Sequence, residues 1–76
     1  MLSYNLNSMK AAECLIRLCE KYRDTIEVDV IHGRQTIDGA SMLGVYSLIG
    51  NIVSLDVHSN DEVAIQRFTT ELERVR

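Results

Sequence analysis

The spacing of apolar residues along this chain switches repeatedly between a period of two and a period of three to four. That switching restricts the fold more than any other feature of the sequence. Leu2, Tyr4 and Leu6 alternate with Ser3 and Asn5, which predicts a short strand with one apolar face. Ala11, Leu15, Leu18 and Tyr22 then step by four, three and four, with Ala12 and Cys19 beside them. Lys10, Glu13, Arg17, Glu20 and Lys21 take the other side, so the segment reads as an amphipathic helix lying on a core. Asn7 or Ser8 supplies its N-cap, a side-chain oxygen for the unpaired amides of the first turn.

Alternation returns after Arg23-Asp24-Thr25. Ile26, Val28 and Val30 face one way and Glu27 and Asp29 the other. His32-Gly33-Arg34 forms a hairpin turn, with Gly33 the residue for positive φ. Gln35-Thr36-Ile37-Asp38 is a short returning strand. Ser41 caps a brief helix carrying Met42, Leu43, Val45, Tyr46 and Leu48. Gly50-Asn51 turns the chain into a strand of Val53, Leu55 and Val57. Ser59-x-x-Glu62 has the form of a capping box opening a last helix, whose core stripe is Ala64, Phe68, Leu72 and Val75. Asp61 and Glu62 stand at the positive end of its dipole, Arg74 and Arg76 at the negative end.

The order is strand, helix, strand, strand, short helix, strand, helix. Short, half-polar strands of this kind form an antiparallel sheet with the helices on one face, an α+β open-faced sandwich. A ferredoxin-like split fold has nearly the same element order, and order alone does not separate the two.

Composition sets the functional classes. The 76 residues make one domain spanning 1–76, and a domain this small buries only about 60% of its unfolded surface. Eight Lys and Arg against eleven Asp and Glu give a net charge of −3, with no basic cluster to hold a phosphate backbone, so nucleic acid is disfavoured. No apolar run approaches the ~20 residues of a membrane helix. The polar first ten residues do not read as a signal peptide, and a cytoplasmic protein is expected. Cys14 and Cys19 point about 140° apart on one helix, which suits two free thiols in a reducing compartment.

The segment Thr36-Ile37-Asp38-Gly39-Ala40-Ser41-Met42-Leu43-Gly44-Val45-Tyr46-Ser47-Leu48 resembles the regulatory-serine motif of HPr, the histidine-containing phosphocarrier family of the bacterial sugar phosphotransferase system. The match lies in Ile37, Asp38, Ser41, Met42, Leu43, Gly44 and Ser47-Leu48, and the flanking hairpin and final helix extend the resemblance over nearly the whole chain. It implies the HPr-like open-faced sandwich, with the first strand paired to the last. It also implies a phosphorylation site at Ser41 for a dedicated kinase, and a surface of Met42, Leu43, Val45 and Tyr46 presented to protein partners such as a transcriptional repressor. Phosphate at a helix N-cap adds about −2 charge where amides favour it.

The family opens its first helix with a glycine-apolar-histidine-alanine-arginine-proline stretch. Here Leu6-Asn7-Ser8-Met9-Lys10-Ala11 stands in that place, with Asn7 or Ser8 at the position of the phosphorylated histidine and Lys10 near that of the arginine. Neither residue holds a phosphoryl group at a transferable potential. The resemblance therefore implies a regulatory protein-binding module rather than a carrier, with no catalytic residues and no cofactor. Two other readings stay open: a phosphoacceptor of the same system using a residue such as Ser8, and a ferredoxin-like small-ligand sensor. The short first strand leaves an edge able to recruit a second copy as a homodimer.

The remaining candidates read blandly. His32 lies in a turn and His58 follows a strand, without an acidic or cysteine partner at local spacing, so both are expected as solvated loop residues and no metal site is expected. Ser, His and Asp occur with no nucleophile-elbow or oxyanion motif, which disfavours a hydrolase.

Overall fold

Every alternating segment becomes a strand and every segment of helical period a helix. The computed structural model describes residues 2–75. In chain order the elements are β1 (Leu2–Leu6), α1 (Met9–Lys21), β2 (Glu27–His32), β3 (Gln35–Asp38), α2 (Met42–Tyr46), β4 (Asn51–His58) and α3 (Glu62–Val75). Arg76, expected with Arg74 at the end of the last helix, lies outside the described residues.

The four strands form one antiparallel sheet in the order β1-β4-β2-β3. β1 pairs along its whole length with β4, from Leu2 opposite Leu55 to Leu6 opposite Asn51. A ferredoxin-like sheet would place the first and third strands side by side in the centre. In this sheet they are the two edges. β4 is the longest strand at eight residues and extends beyond the expected Val53–Val57 core at both ends.

One sheet face is apolar. Tyr4, Leu6, Val28, Val30, Val53 and Leu55 are buried in a single cluster with Leu15, Ile16, Leu18 and Cys19 of α1, Val45 of α2, and Phe68 and Leu72 of α3. Burying a side chain such as Phe68 contributes roughly 1.5–3 kcal/mol, so this cluster carries most of the fold's stability. Phe68 meets Tyr22 edge-to-face with ring centroids 5.9 Å apart. The opposite face, with Ser3, Asn5, Glu27, Asp29, Thr36, Asp38, Ser54 and Asp56, is open or half-open to solvent. A turn of Gly33 and Arg34 joins β2 to β3. Gly33 has φ 61° and Arg34 is not in the positive-φ region, as a type II′ hairpin requires.

Several local expectations are corrected. The last helix is not capped by Ser59. Asp61 Oδ1 accepts from the amides of Val63 and Ala64 at 3.0 and 3.3 Å and is the N-cap. Ser59 instead donates its hydroxyl to the Thr25 carbonyl at 2.7 Å, tying the loop before α3 to the loop before β2. Val75 is 47% exposed, because the last turn of α3 runs past the edge of the core. Tyr22 is half-buried and serves as the C-cap of α1, while Ile16 joins the buried face instead.

Two glycines place α2. The Gly39 amide donates to the Val28 carbonyl at 2.8 Å, and a Cβ there would come within 2.8 Å of Cys19 Sγ. The Gly50 amide donates to the Leu6 carbonyl at 2.6 Å. The segment carrying α2 thus starts beside the carboxyl end of α1 and returns to the level of its amino end.

Candidate functional site

Ser41, Met42, Leu43 and their neighbours form the more informative of the two expected sites. Ser41 is the N-cap residue of α2, with φ −81° and ψ 102°, and its carbonyl accepts from the Val45 amide at 2.9 Å. Its hydroxyl makes no capping hydrogen bond, and the residue is exposed. The expected side-chain cap is therefore absent. The turn ahead of it is held instead by Asp38, whose Oδ1 accepts from the Ala40 amide at 2.9 Å and whose carbonyl accepts from the Ser41 amide.

A helix of five residues has little room for an apolar face, and α2 divides its four large apolar residues sharply. Val45 is fully buried. It is core, not partner surface, which corrects its place among the docking residues. Tyr46 is half-buried against the same cluster. Met42 and Leu43 are 54% and 84% exposed, immediately beside the free Ser41 hydroxyl. Gly44 makes this orientation possible. A Cβ at that position would approach Ile37 Cγ2 to 2.4 Å, so only glycine lets α2 lie this close to β3.

The second expected site is the amino end of α1. Ser8 is the cap: its Oγ accepts from the Ala11 amide at 3.1 Å and its carbonyl accepts from the Ala12 amide. Asn7 precedes it as an exposed residue, and Lys10 is exposed one residue into the helix. Asn7, Ser8, Lys10, Cys14 and Ile52 line an open groove of about 540 Å³ between the edge strand β1 and α1. The Tyr4 hydroxyl closes its floor by donating to the Ala11 carbonyl at 2.8 Å. Asn7, Ser8 and Lys10 stand together at the start of α1. No histidine is among the residues lining the groove, and Ser8 uses its oxygen to hold the helix.

The thiols differ in environment. Cys19 is buried, and its thiol is pushed up to about 12, first by burial and then by the nearby carboxylates of Asp38 and Glu20. Cys14 is half-buried at the groove. On the far side of α1, Glu71 accepts from Lys21 Nζ at 2.5 Å and from the Tyr22 hydroxyl. Those two hydrogen bonds hold its carboxyl below the ordinary glutamate value and tie α3 to α1.

A third cluster lies on the open face of the sheet. His58 is not an isolated loop residue. It ends β4, and its Nε2 lies 3.1 Å from Asp56 Oδ2 and 3.2 Å from Asp29 Oδ2. Asp56 is two residues before it, on the same strand face, and that spacing was a usable signal. Asp29 comes from β2, directly opposite Asp56. Only the register between two strands far apart in sequence places it there. His32 ends β2 as an exposed residue outside this cluster.

Among known proteins, no family model matches the chain, and no curated protein or solved structure matches it. Among the described residues, no helix is long and apolar enough to cross a membrane.

Proposed function

We propose that this chain is an HPr-like module related to the sugar phosphotransferase system. On this reading it has lost the phosphocarrier histidine and binds a regulatory protein through α2, under the control of phosphorylation at Ser41. The observation that carries the reading is the juxtaposition on α2: an exposed serine hydroxyl free of capping duty beside two large apolar side chains given to solvent. α2 contributes to the core through Val45 and in part Tyr46, while adjacent Met42 and Leu43 form an apolar surface that a partner would cover. Phosphate on Ser41 would add about two negative charges at the rim of that surface, strengthening or refusing a partner according to the charge it presents.

The pairing of β1 with β4 supports the HPr-like architecture, since it is the pairing that the resemblance implies. The arrangement at the amino end of α1 supports the loss of carrier function, because Asn7, Ser8 and Lys10 offer an amide, a helix cap and a cation but no imidazole. The module is read as a non-enzymatic cytoplasmic protein without a cofactor. Its partners are proteins such as an HPr kinase or a transcriptional repressor, and β1, at the sheet edge, is the strand a second copy would approach.

Incubation with enzyme I, phosphoenolpyruvate and magnesium tests the carrier half of the proposal. The expected result is no acid-labile phosphate on the chain. A phosphohistidine at His32 or His58 overturns it, and an acid-stable phosphate on Ser8 replaces it with the phosphoacceptor reading.

A further inference from the structure

The sheet face turned away from the helices carries donors that binding through α2 does not use. The register sets Asp38, Asp29 and Asp56 abreast on three neighbouring strands, Asp29 being opposite both of the others. Like charges directly opposed on paired strands repel. Among the described residues, no lysine or arginine forms an ion pair with Asp29 or Asp56. An imidazole stands between these two carboxylates instead, and it separates the group from an ordinary acidic patch.

Its geometry is that of a ligand set. His58 Nε2, Asp29 and Asp56 each offer one donor atom, and the three atoms lie within 4.8 Å of one another. Donors bonded at about 2.1 Å to one cation, at angles of 90–109°, stand about 3.0–3.4 Å apart. The imidazole nitrogen is already 3.1 and 3.2 Å from the two carboxylate oxygens. Two of the three donor separations thus already match, and the third, between the carboxylate oxygens, is within 4.8 Å, so rotation of exposed side chains completes the set around one cation. The donors sit on two adjacent strands held by backbone pairing, which spares the ordering cost a loop site would carry. Their side chains are 38–50% exposed, so a cation reaches them directly from solvent.

We propose that Asp29, Asp56 and His58 bind a divalent transition-metal cation of the zinc type on the open face of the sheet. One imidazole with two carboxylates suits such a cation better than calcium or magnesium, which prefer all-oxygen surroundings. Three protein ligands leave a further position for water or for a donor from another molecule.

Zinc binding to the full chain, followed by calorimetry and equilibrium dialysis, tests the site. One zinc per chain is expected, undisturbed by a large excess of magnesium or calcium. Asp29→Asn, Asp56→Asn and His58→Gln should each weaken it by about 10–100-fold or more, at least the loss caused by removing a ligand's hydrogen-bond partner. The asparagine variants relieve a like-charge contact and keep the fold, which circular dichroism verifies. Cys14→Ser should leave affinity unchanged, and cobalt loaded in place of zinc should show no thiolate charge-transfer band. Zinc that fails to bind, that binds equally well to all three variants, or that is lost in Cys14→Ser overturns the proposal. Ser41 is untouched by these substitutions, so the result stands apart from any outcome for the α2 surface.

Discussion

Replacing Val45 by alanine, alongside the same truncation of Leu43, tests how α2 is seated. The two residues are two positions apart on one short helix, yet Val45 is fully buried and Leu43 is 84% exposed. Val45→Ala removes two buried methyl groups, worth about 0.8 kcal/mol each in transfer, and leaves a cavity that raises the total to about 2–3 kcal/mol. For a domain of this size each kcal/mol moves Tm by about 4–8 °C, so a drop on the order of 8–24 °C is expected. Leu43→Ala gives up a larger side chain, but almost all of it already lies in water, and the expected change is within about 0.5 kcal/mol. Thermal melts and urea unfolding of both variants measure this. Equal losses at the two positions, or a larger loss at Leu43, would show that α2 presents the other face and would remove the exposed surface on which the partner reading stands.

Further expectations concern the surroundings of that helix and the thiols. Gly44→Ala gains about 1 kcal/mol of helix propensity but sets a methyl 2.4 Å from Ile37 Cγ2, on a stiff β-branched side chain. Overpacking wins, and urea unfolding should show a net loss of about 1–2 kcal/mol; a stabilised variant contradicts this. Glu71 has its carboxyl lowered chiefly by hydrogen bonds from Lys21 and Tyr22. Its contribution is therefore fully present above the unfolded glutamate value and disappears as pH falls through the lower folded value. Denaturation at about pH 6 and about pH 3 should show wild type losing more stability than Glu71→Gln, and parallel losses would refute the coupling. Native protein treated with iodoacetamide at about pH 8 should be modified at half-exposed Cys14 and spared at buried Cys19, with both labelled after denaturation. Early labelling of Cys19 would mean that the core beneath α1 opens.

The elements were legible wherever burial is one-sided. Tyr4 and Leu6 alternate with Ser3 and Asn5 because β1 buries one face, and α1 keeps its apolar stripe because Leu15, Leu18 and Cys19 face the sheet. Legibility failed where two local solutions compete or where tertiary register decides. Ser59 and Asp61 both offer a cap to the last helix. The serine side chain is drawn away by the Thr25 carbonyl, a contact across 34 residues that no local pattern reveals. The apolar residues of α2 could not be divided by periodicity over so short a helix; the close approach of Gly44 to Ile37 divides them. The amino end of α1 was readable because its residues are contiguous, whereas Asp29 meets Asp56 and His58 only through the pairing of β2 with β4.

On the proposed reading, Ser41 is the regulated position of a module that no longer carries phosphate on a histidine. Incubating wild type and Ser41→Ala with an HPr kinase and ATP, then mapping the phosphate by mass spectrometry after acid treatment, tests it most directly. A single acid-stable phosphate on Ser41, absent from Ser41→Ala, is the predicted result. No phosphate on wild type, or the same phosphate on both proteins, contradicts it.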